Sequence, residues 1–419
     1  METIFAEATP PGRGGVSIVR LSGPDARRVA EDLAGALPEA RYCYYRVVRD
    51  GDDLIDRALV VRFDGGASFT GEESCEFHLH GAPVVVKRLE AALQARGLRR
   101  AEAGEFTLRS FLSGQMDLAE VEGLSDLLAA ETESQRKLAV EASTGALGRL
   151  AADWREGLVH AGAMITASID FADEEIPDEV AAHVWRGIAQ VRRSIMAELA
   201  DFPARERLRQ GFEVALIGAP NAGKSSLMNA IARKDVAIVT EQAGTTRDVV
   251  EFRADLRGLP VIFLDTAGIR ETEDLVEGIG IGRARQRAMD ADLRIFLGPV
   301  PAEAADLVRD GDLFVETKGD LTLAPGAISS VTGEGVDQLL DQIFDVLRGR
   351  VAASGVASHA RQAEAMQAAA DALDVPQDMP PEILSEALRE AQHHLQRLVG
   401  KIDVDDYLDR VFSTFCVGK

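Results

Sequence analysis

The sequence is constrained most by Gly218-Ala219-Pro220-Asn221-Ala222-Gly223-Lys224-Ser225, a GxxxxGKS pattern. An apolar strand-like run, Val214–Ile217, precedes it, and a helix-forming run, Ser226–Ala232, follows it. In that setting the glycines let backbone N–H groups turn toward phosphate oxygens, and the helix N-terminus adds favourable partial charge. Lys224 is placed to reach the outer phosphates, and Ser225 Oγ to ligate magnesium. The pattern demands an α/β layer with a parallel sheet, because the loop must join a buried strand to a helix.

The downstream sequence extends this reading. Val261–Leu264 predicts a buried strand that ends in Asp265-Thr266-Ala267-Gly268, a DxxG sequence. Asp265 is positioned to hold magnesium through water, and the Gly268 N–H to meet a γ-phosphate. Between the two motifs lies Gly244-Thr245-Thr246-Arg247-Asp248, where Thr246 is the candidate to complete the magnesium shell. Leu313–Glu316 predicts a strand entering Thr317-Lys318-Gly319-Asp320. An Asp here pairs with the ring N1–H and 2-amino group of guanine, donors that adenine lacks. The usual pattern is NKxD, so Thr317 is a departure that keeps a hydroxyl and loses an amide. Ile328-Ser329-Ser330 follows, able to supply a backbone N–H to the base oxygen. Together these motifs predict a domain over about Gly211–Val351 that binds GTP with magnesium and hydrolyses it.

The flanks differ in pattern. Up to about Ser113, short β-rich runs (Val16–Val19, Ala58–Val61, Glu76–Leu79) alternate with Gly and Pro turns, and helices are expected at Asp25–Ala34 and Pro83–Arg96. From about Asp117 the periodicity is helical, with Leu118, Val121, Leu124 and Leu128 on one face and Leu147, Leu150, Trp154 and Leu158 on another. Helical spacing returns after Val351, where Leu384, Leu388, Leu395 and Val399 predict a helix running to the C-terminus. Helix, then α/β, then helix implies an insertion. The expected architecture is an N-terminal α+β domain (1–115), a discontinuous helical domain (116–210 and 352–419) and a P-loop GTPase domain (211–351).

Composition limits the partners. The 419 residues carry 46 Lys+Arg against 69 Asp+Glu, a net charge of −23. Bulk attraction to nucleic acid is therefore not expected, and any RNA contact should be local or belong to a partner. Three cysteines, Cys43, Cys75 and Cys416, are too few and scattered for a disulfide framework or a zinc site. No signal peptide and no membrane-spanning run is evident, so a cytoplasmic location is expected.

At this point the chain resembles a known family. GAPNAGKSSL, AIVTEQAGTTRD, DTAGIRETEDLVEGIGI, TPPGRGGVSIVRLSGP, SFTGEESCEFHLHGAP, GEFTLRSFLSGQMDLAEVEGLSDLL and the terminal FCVGK are similar to the tRNA-modification GTPases MnmE (TrmE). The resemblance spans nearly the whole chain. It implies a dimerising N-terminal folate-binding domain and an FAD-dependent MnmG-like partner, the two proteins forming a heterotetramer. Together they would build a carboxymethylaminomethyl-type group on C5 of the wobble uridine of certain tRNAs. A tetrahydrofolate such as 5-formyl-tetrahydrofolate would supply the one-carbon unit.

Residue by residue, the resemblance implies potassium ligands at Asn221, Thr240, Gln242 and Thr245, and magnesium ligands at Ser225 and Thr246. Nucleotide contacts would extend over Asn221, Ala222, Gly223, Lys224, Ser225 and Ser226, and over Thr240, Glu241, Gln242, Ala243, Gly244, Thr245 and Thr246. They would continue through Asp265, Thr266, Ala267, Gly268, Thr317, Lys318, Asp320, Ser329 and Ser330. Glu277 matches the catalytic glutamate that orients the attacking water. On pattern alone it reads more simply as a solvated helix carboxylate. Arg20, Glu76 and Lys419 match folate contacts, and Gln115 stands where the family has a lysine. Cys416 reads equally as a reactive thiol and as a small apolar residue beside Phe412 and Phe415. The segment between Leu297 and Leu313 is shorter than is usual for the family. Two other readings share the P-loop: a ribosome-assembly GTPase switch, and a folate-dependent one-carbon enzyme with a regulatory GTPase domain.

Overall fold

The structure, a computed structural model, describes residues 2–170, 178–234, 236, 238, 251–265, 284–322, 326–351, 355–400, 412, 415 and 418. Two compact units divide the chain, one of Met1–Ser125 with Gln396–Lys419, the other of Asp126–Leu395.

The first unit is built on a six-stranded sheet in the order β3-β4-β5-β2-β1-β6. Its strands are β1 (Ile4–Glu7), β2 (Val16–Ser22), β3 (Tyr44–Asp50), β4 (Asp53–Phe63), β5 (Ser74–His80) and β6 (Arg99–Arg100). All pairings are antiparallel except β1 with β6. Helices α1 (Ala26–Ala34) and α2 (Pro83–Ala95) contribute Val29, Leu33, Val86, Leu89 and Leu93 to the core formed with Phe5, Leu21, Val60 and Phe77. Side chains alternate along each strand, so the opposite residues of β2 and β5 face away from that core. The expected strands fall within β2, β4 and β5, and the expected helices match α1 and α2 except that Asp25 and Arg96 are the flanking cap residues. Helices α3 (Glu105–Leu112) and α4 (Leu118–Ala129) follow, and Val121 packs with Phe412 and Phe415.

After the end of α4 the second unit continues with α5 (Glu133–Ser143), α6 (Ala146–Asp170) and α7 (Asp178–Gln210). A capping box starts α5: Thr132 Oγ1 accepts from the Gln135 N–H, and Gln135 Oε1 accepts from the Thr132 N–H. The α/β layer holds β7 (Phe212–Gly218), α8 (Lys224–Ala232), β8 (Glu251–Leu256), β9 (Leu259–Asp265), β10 (Leu293–Leu297), β11 (Leu313–Val315), α9 (Gly319–Thr322) and α10 (Val336–Arg348). Helices α11 (Ala360–Ala372) and α12 (Pro381–Leu398) return to the helical pattern. The last helix does not run unbroken to the C-terminus. It stops at Leu398, and Gly400 takes a left-handed φ of 77°.

The five-stranded sheet has the order β11-β10-β7-β9-β8, parallel throughout except for β8. Buried on both faces, β9 and β10 read as near-continuous apolar runs, as a covered parallel sheet requires. Only a 3₁₀ turn, Ala302–Leu307, lies between β10 and β11, where the sequence is short.

Strands β8 and β9 form a hairpin that closes at Arg257-Gly258, with φ of 56° and 92°. Both central residues at positive φ make the turn type whose twist matches the strands. The start of α5 seats on this turn. The Ser134 N–H donates to Gly258 O at 3.2 Å, and Arg253 pairs with Glu131 at 3.3 Å.

Candidate functional site

β7 is the central strand, and its C-terminal end delivers the phosphate loop to the rim of the sheet, where open α/β layers bind ligands. Gly218 is obligatory there, because an added Cβ would meet Leu297 O at 2.8 Å. Asn221 (φ 60°) and Gly223 (φ 99°) carry the left-handed turns that curl the loop. Among the described residues no side chain caps the start of α8, which leaves its first-turn N–H groups open to an anion.

Three side chains converge on this loop. Lys224 is 8% exposed, and its Nζ donates to Gly218 O at 2.7 Å and Ala219 O at 3.1 Å. Ser225 Oγ donates to Asp265 Oδ2 at 2.8 Å. Asp265 ends the buried strand β9, and its other oxygen, Oδ1, is buried with no partner among the described residues. An orphaned carboxylate oxygen beside a serine hydroxyl is the donor chemistry of a hard divalent cation and its water shell, so these residues fit magnesium.

The base loop closes the other side. A cavity of about 640 Å³ is lined by Asn221, Lys224, Ser225, Thr317, Lys318, Asp320 and Ser330, among others. Thr317 Oγ1 donates to Ala222 O at 2.8 Å. Fully buried Ser329 donates its hydroxyl to Asp320 Oδ1 at 2.8 Å, aiming the carboxylate. Sequence reasoning gave Ser329 only a backbone role; its side-chain contact spans nine residues with no local signature. Residues Thr240, Glu241, Gln242, Ala243, Gly244, Thr245, Thr246, Thr266, Ala267, Gly268, Glu277, Cys416 and Lys419 lie outside the described residues.

The first unit holds a second cavity, of about 440 Å³. Arg20, Glu76 and Gln115 all line it, together with Arg41, Phe69 and Ser68. Arg20 and Glu76 are register partners across β2 and β5, and Arg20 Nε donates to Glu76 Oε1 at 2.9 Å. The guanidinium carbon lies 5.4 Å from the Phe69 ring centroid. His78 Nε2 lies 3.2 Å from Glu76 Oε2. That hydrogen bond, with Arg20 and against desolvation, holds the Glu76 carboxyl below the usual carboxylate range. His78 was not anticipated, although its i+2 position on β5 places it on the same face as Glu76. A carboxylate, a guanidinium and a flat aromatic ring around one hollow suit a planar heterocycle with a donor edge.

The family model "GTP-binding protein TrmE N-terminus" matches residues 3–115, and "MnmE helical domain" matches residues 118–416. A tRNA modification GTPase MnmE of Paracoccus denitrificans (strain Pd 1222) is 59% identical over 422 residues, covering 100% of both chains. One from Roseobacter denitrificans is 48% identical over 431 residues, again covering 100% of both. Among solved structures, the G domain of T. maritima FeoB iron transporter is 26% identical, covering 32% of this chain and 98% of that one, with a TM-score of 0.23.

Proposed function

The chain belongs to the MnmE (TrmE) family of tRNA modification GTPases, and from that premise we propose that it is a GTP hydrolase acting in modification of the wobble uridine of tRNA. The observation that carries the hydrolase reading is the convergence of Lys224, Ser225, Asp265 and Asp320 on the rim of one parallel sheet. Lys224 exchanges its loop carbonyls for phosphate oxygens. Ser225 and Asp265 hold magnesium, and Asp320 reads the guanine edge. Magnesium, when bound, neutralises charge on the outer phosphates.

Asn221, Thr240, Gln242 and Thr245 hold potassium, a monovalent charge beside the phosphates in the place that an arginine finger fills elsewhere. Thr246 completes the magnesium shell, and Glu277 orients the attacking water. Arg20, Glu76, Gln115 and Lys419 hold a reduced folate, and the cavity beside the Arg20–Glu76 pair supports this. The domains run 1–115, 116–210 with 352–419, and 211–351. The protein works in the cytoplasm as a homodimer with an FAD-dependent partner, and the net charge of −23 favours tRNA contact mainly through that partner. No described helix is long and apolar enough to cross a membrane.

The test is a steady-state GTPase assay of the full chain with GTP affinity measured in parallel. Glu277→Ala should cut turnover about hundredfold or more and leave GTP binding nearly intact. Equal losses in both would remove Glu277 from the chemistry. Replacing potassium by sodium should slow hydrolysis, and indifference to the cation would remove the potassium site. A protein that bound no guanine nucleotide with magnesium present would overturn the hydrolase reading itself.

A further inference from the structure

Among the described residues a side-chain hydrogen bond joins the base loop to the phosphate loop: Thr317 Oγ1 to Ala222 O, 2.8 Å. We propose that Thr317 is a positioning and specificity-determining residue that ties these loops together and, in doing so, leaves N7 of the purine unread. This rests on the GTP-binding reading of the cavity and adds which edge of the base that cavity recognises.

A threonine hydroxyl carries one proton, and here it is committed to the Ala222 carbonyl. What remains on Oγ1 is acceptor capacity. Guanine N7 and O6 are themselves acceptors, so Oγ1 offers them nothing. An asparagine amide would carry two protons, one for the carbonyl and one for the ring. Guanine's donors, N1–H and the 2-amino group, still meet Asp320, whose Oδ1 is held by the fully buried Ser329. The loop thus reads the Watson–Crick edge of the base and leaves its N7 side to water.

The backbone at Thr317 is fixed from the opposite side, which holds its Cβ in place beside the Ala222 carbonyl. Thr317 bridges Ile328 in parallel fashion, the Ile328 N–H donates to Glu316 O at 2.8 Å, and the Gly319 N–H donates to Ile328 O at 3.0 Å. Gly319 packs so closely that a Cβ would lie 2.6 Å from Ala327 O. Held on one flank by Ile328 and on the other by Ala222, Thr317 acts as a strut between two loops that must share one nucleotide.

The experiment is equilibrium titration of the full chain with GDP and with 7-deaza-GDP, magnesium present, for the parent and three variants. The parent should bind the two nucleotides within a factor of about two. Thr317→Ser keeps the proton and should behave as the parent. Thr317→Val fills the same space without it and should weaken both nucleotides alike, by about five- to tenfold, the range expected for one lost hydrogen bond. Thr317→Asn should tighten GDP and bind 7-deaza-GDP several-fold more weakly than GDP. A parent that discriminates against 7-deaza-GDP by more than fivefold, or a Val variant that binds GDP as the parent does, overturns the inference while leaving GTP binding in place. Loss of all GDP binding in the parent would instead overturn the hydrolase reading, and this inference with it.

Discussion

Ser225 Oγ donates to Asp265 Oδ2 across 2.8 Å, joining the first turn of α8 to the end of β9 while Asp265 Oδ1 stays buried and unpartnered among the described residues. A pair with half its capacity open in a buried place is built for a third group. Ser225→Ala should raise the magnesium concentration for half-maximal GTP turnover about ten- to hundredfold. Magnesium titration of the GTPase rate checks this. An unchanged midpoint would mean that the pair is a structural hydrogen bond only.

Arg294 and Asp312 form a second pair, with side chains 5% and 1% exposed. Asp312 accepts from Arg294 Nε through both oxygens, and Arg294 Nη1 donates to the carbonyls of Ala288, Met289 and Ala291. Removing one partner leaves a buried charge uncompensated. Asp312→Ala should therefore destabilise the unit by about 3–5 kcal/mol. Replacing both, as Arg294→Met with Asp312→Leu, should recover part of the loss. Urea unfolding followed by far-UV dichroism reads both, and a double variant no better than the single would count against charge burial as the cause.

Acid stability of the first unit should depend on Glu105. Burial pushes its carboxyl up, but hydrogen bonds from Arg99, the Glu102 N–H and Arg109 outweigh that and hold it at about 2. A depressed carboxylate contributes stability above its unfolded value and loses it as pH falls toward its folded one. The melting-temperature gap between parent and Glu105→Gln should be full at neutral pH. It should close progressively from the ordinary carboxylate range down to about pH 2. A gap independent of pH would assign the effect to packing.

Thiol labelling separates two cysteines. Burial pushes the Cys75 thiol up to about 12, whereas Cys43 is exposed. In the native protein at pH 8, iodoacetamide should modify Cys43 within minutes. Cys75 should be modified only after unfolding, because the thiolate is the reacting form. Peptide-level mass spectrometry distinguishes the sites, and rapid native labelling of Cys75 would show that β5 opens locally.

Legibility in the sequence followed the reach of each constraint. The phosphate loop could be read because its backbone demands glycine at Gly218 and Gly223, and a demand on φ or on space is written directly in residue type. Asp265, Thr317 and Asp320 could be placed because each ends or follows an apolar run. Contacts between distant residues were not written locally. Nothing in the sequence around Arg20 says that its register partner lies 56 positions away. The Arg257-Gly258 turn was hidden for a different reason. Its first residue is an arginine at φ 56°, where an asparagine or aspartate would have announced the hairpin.

That turn also has a mechanical consequence. Strand β8 emerges directly from residues 239–250, and β9 leads directly into 266–268, the two stretches expected to meet the γ-phosphate. Six residue pairs lock the strands together, and Phe252 stacks on Phe263 within the hairpin. Its far end carries Gly258, which the Ser134 amide grips at the head of α5. Asp265 at one end of this hairpin and the head of α5 at the other therefore share one continuous hydrogen-bonded path.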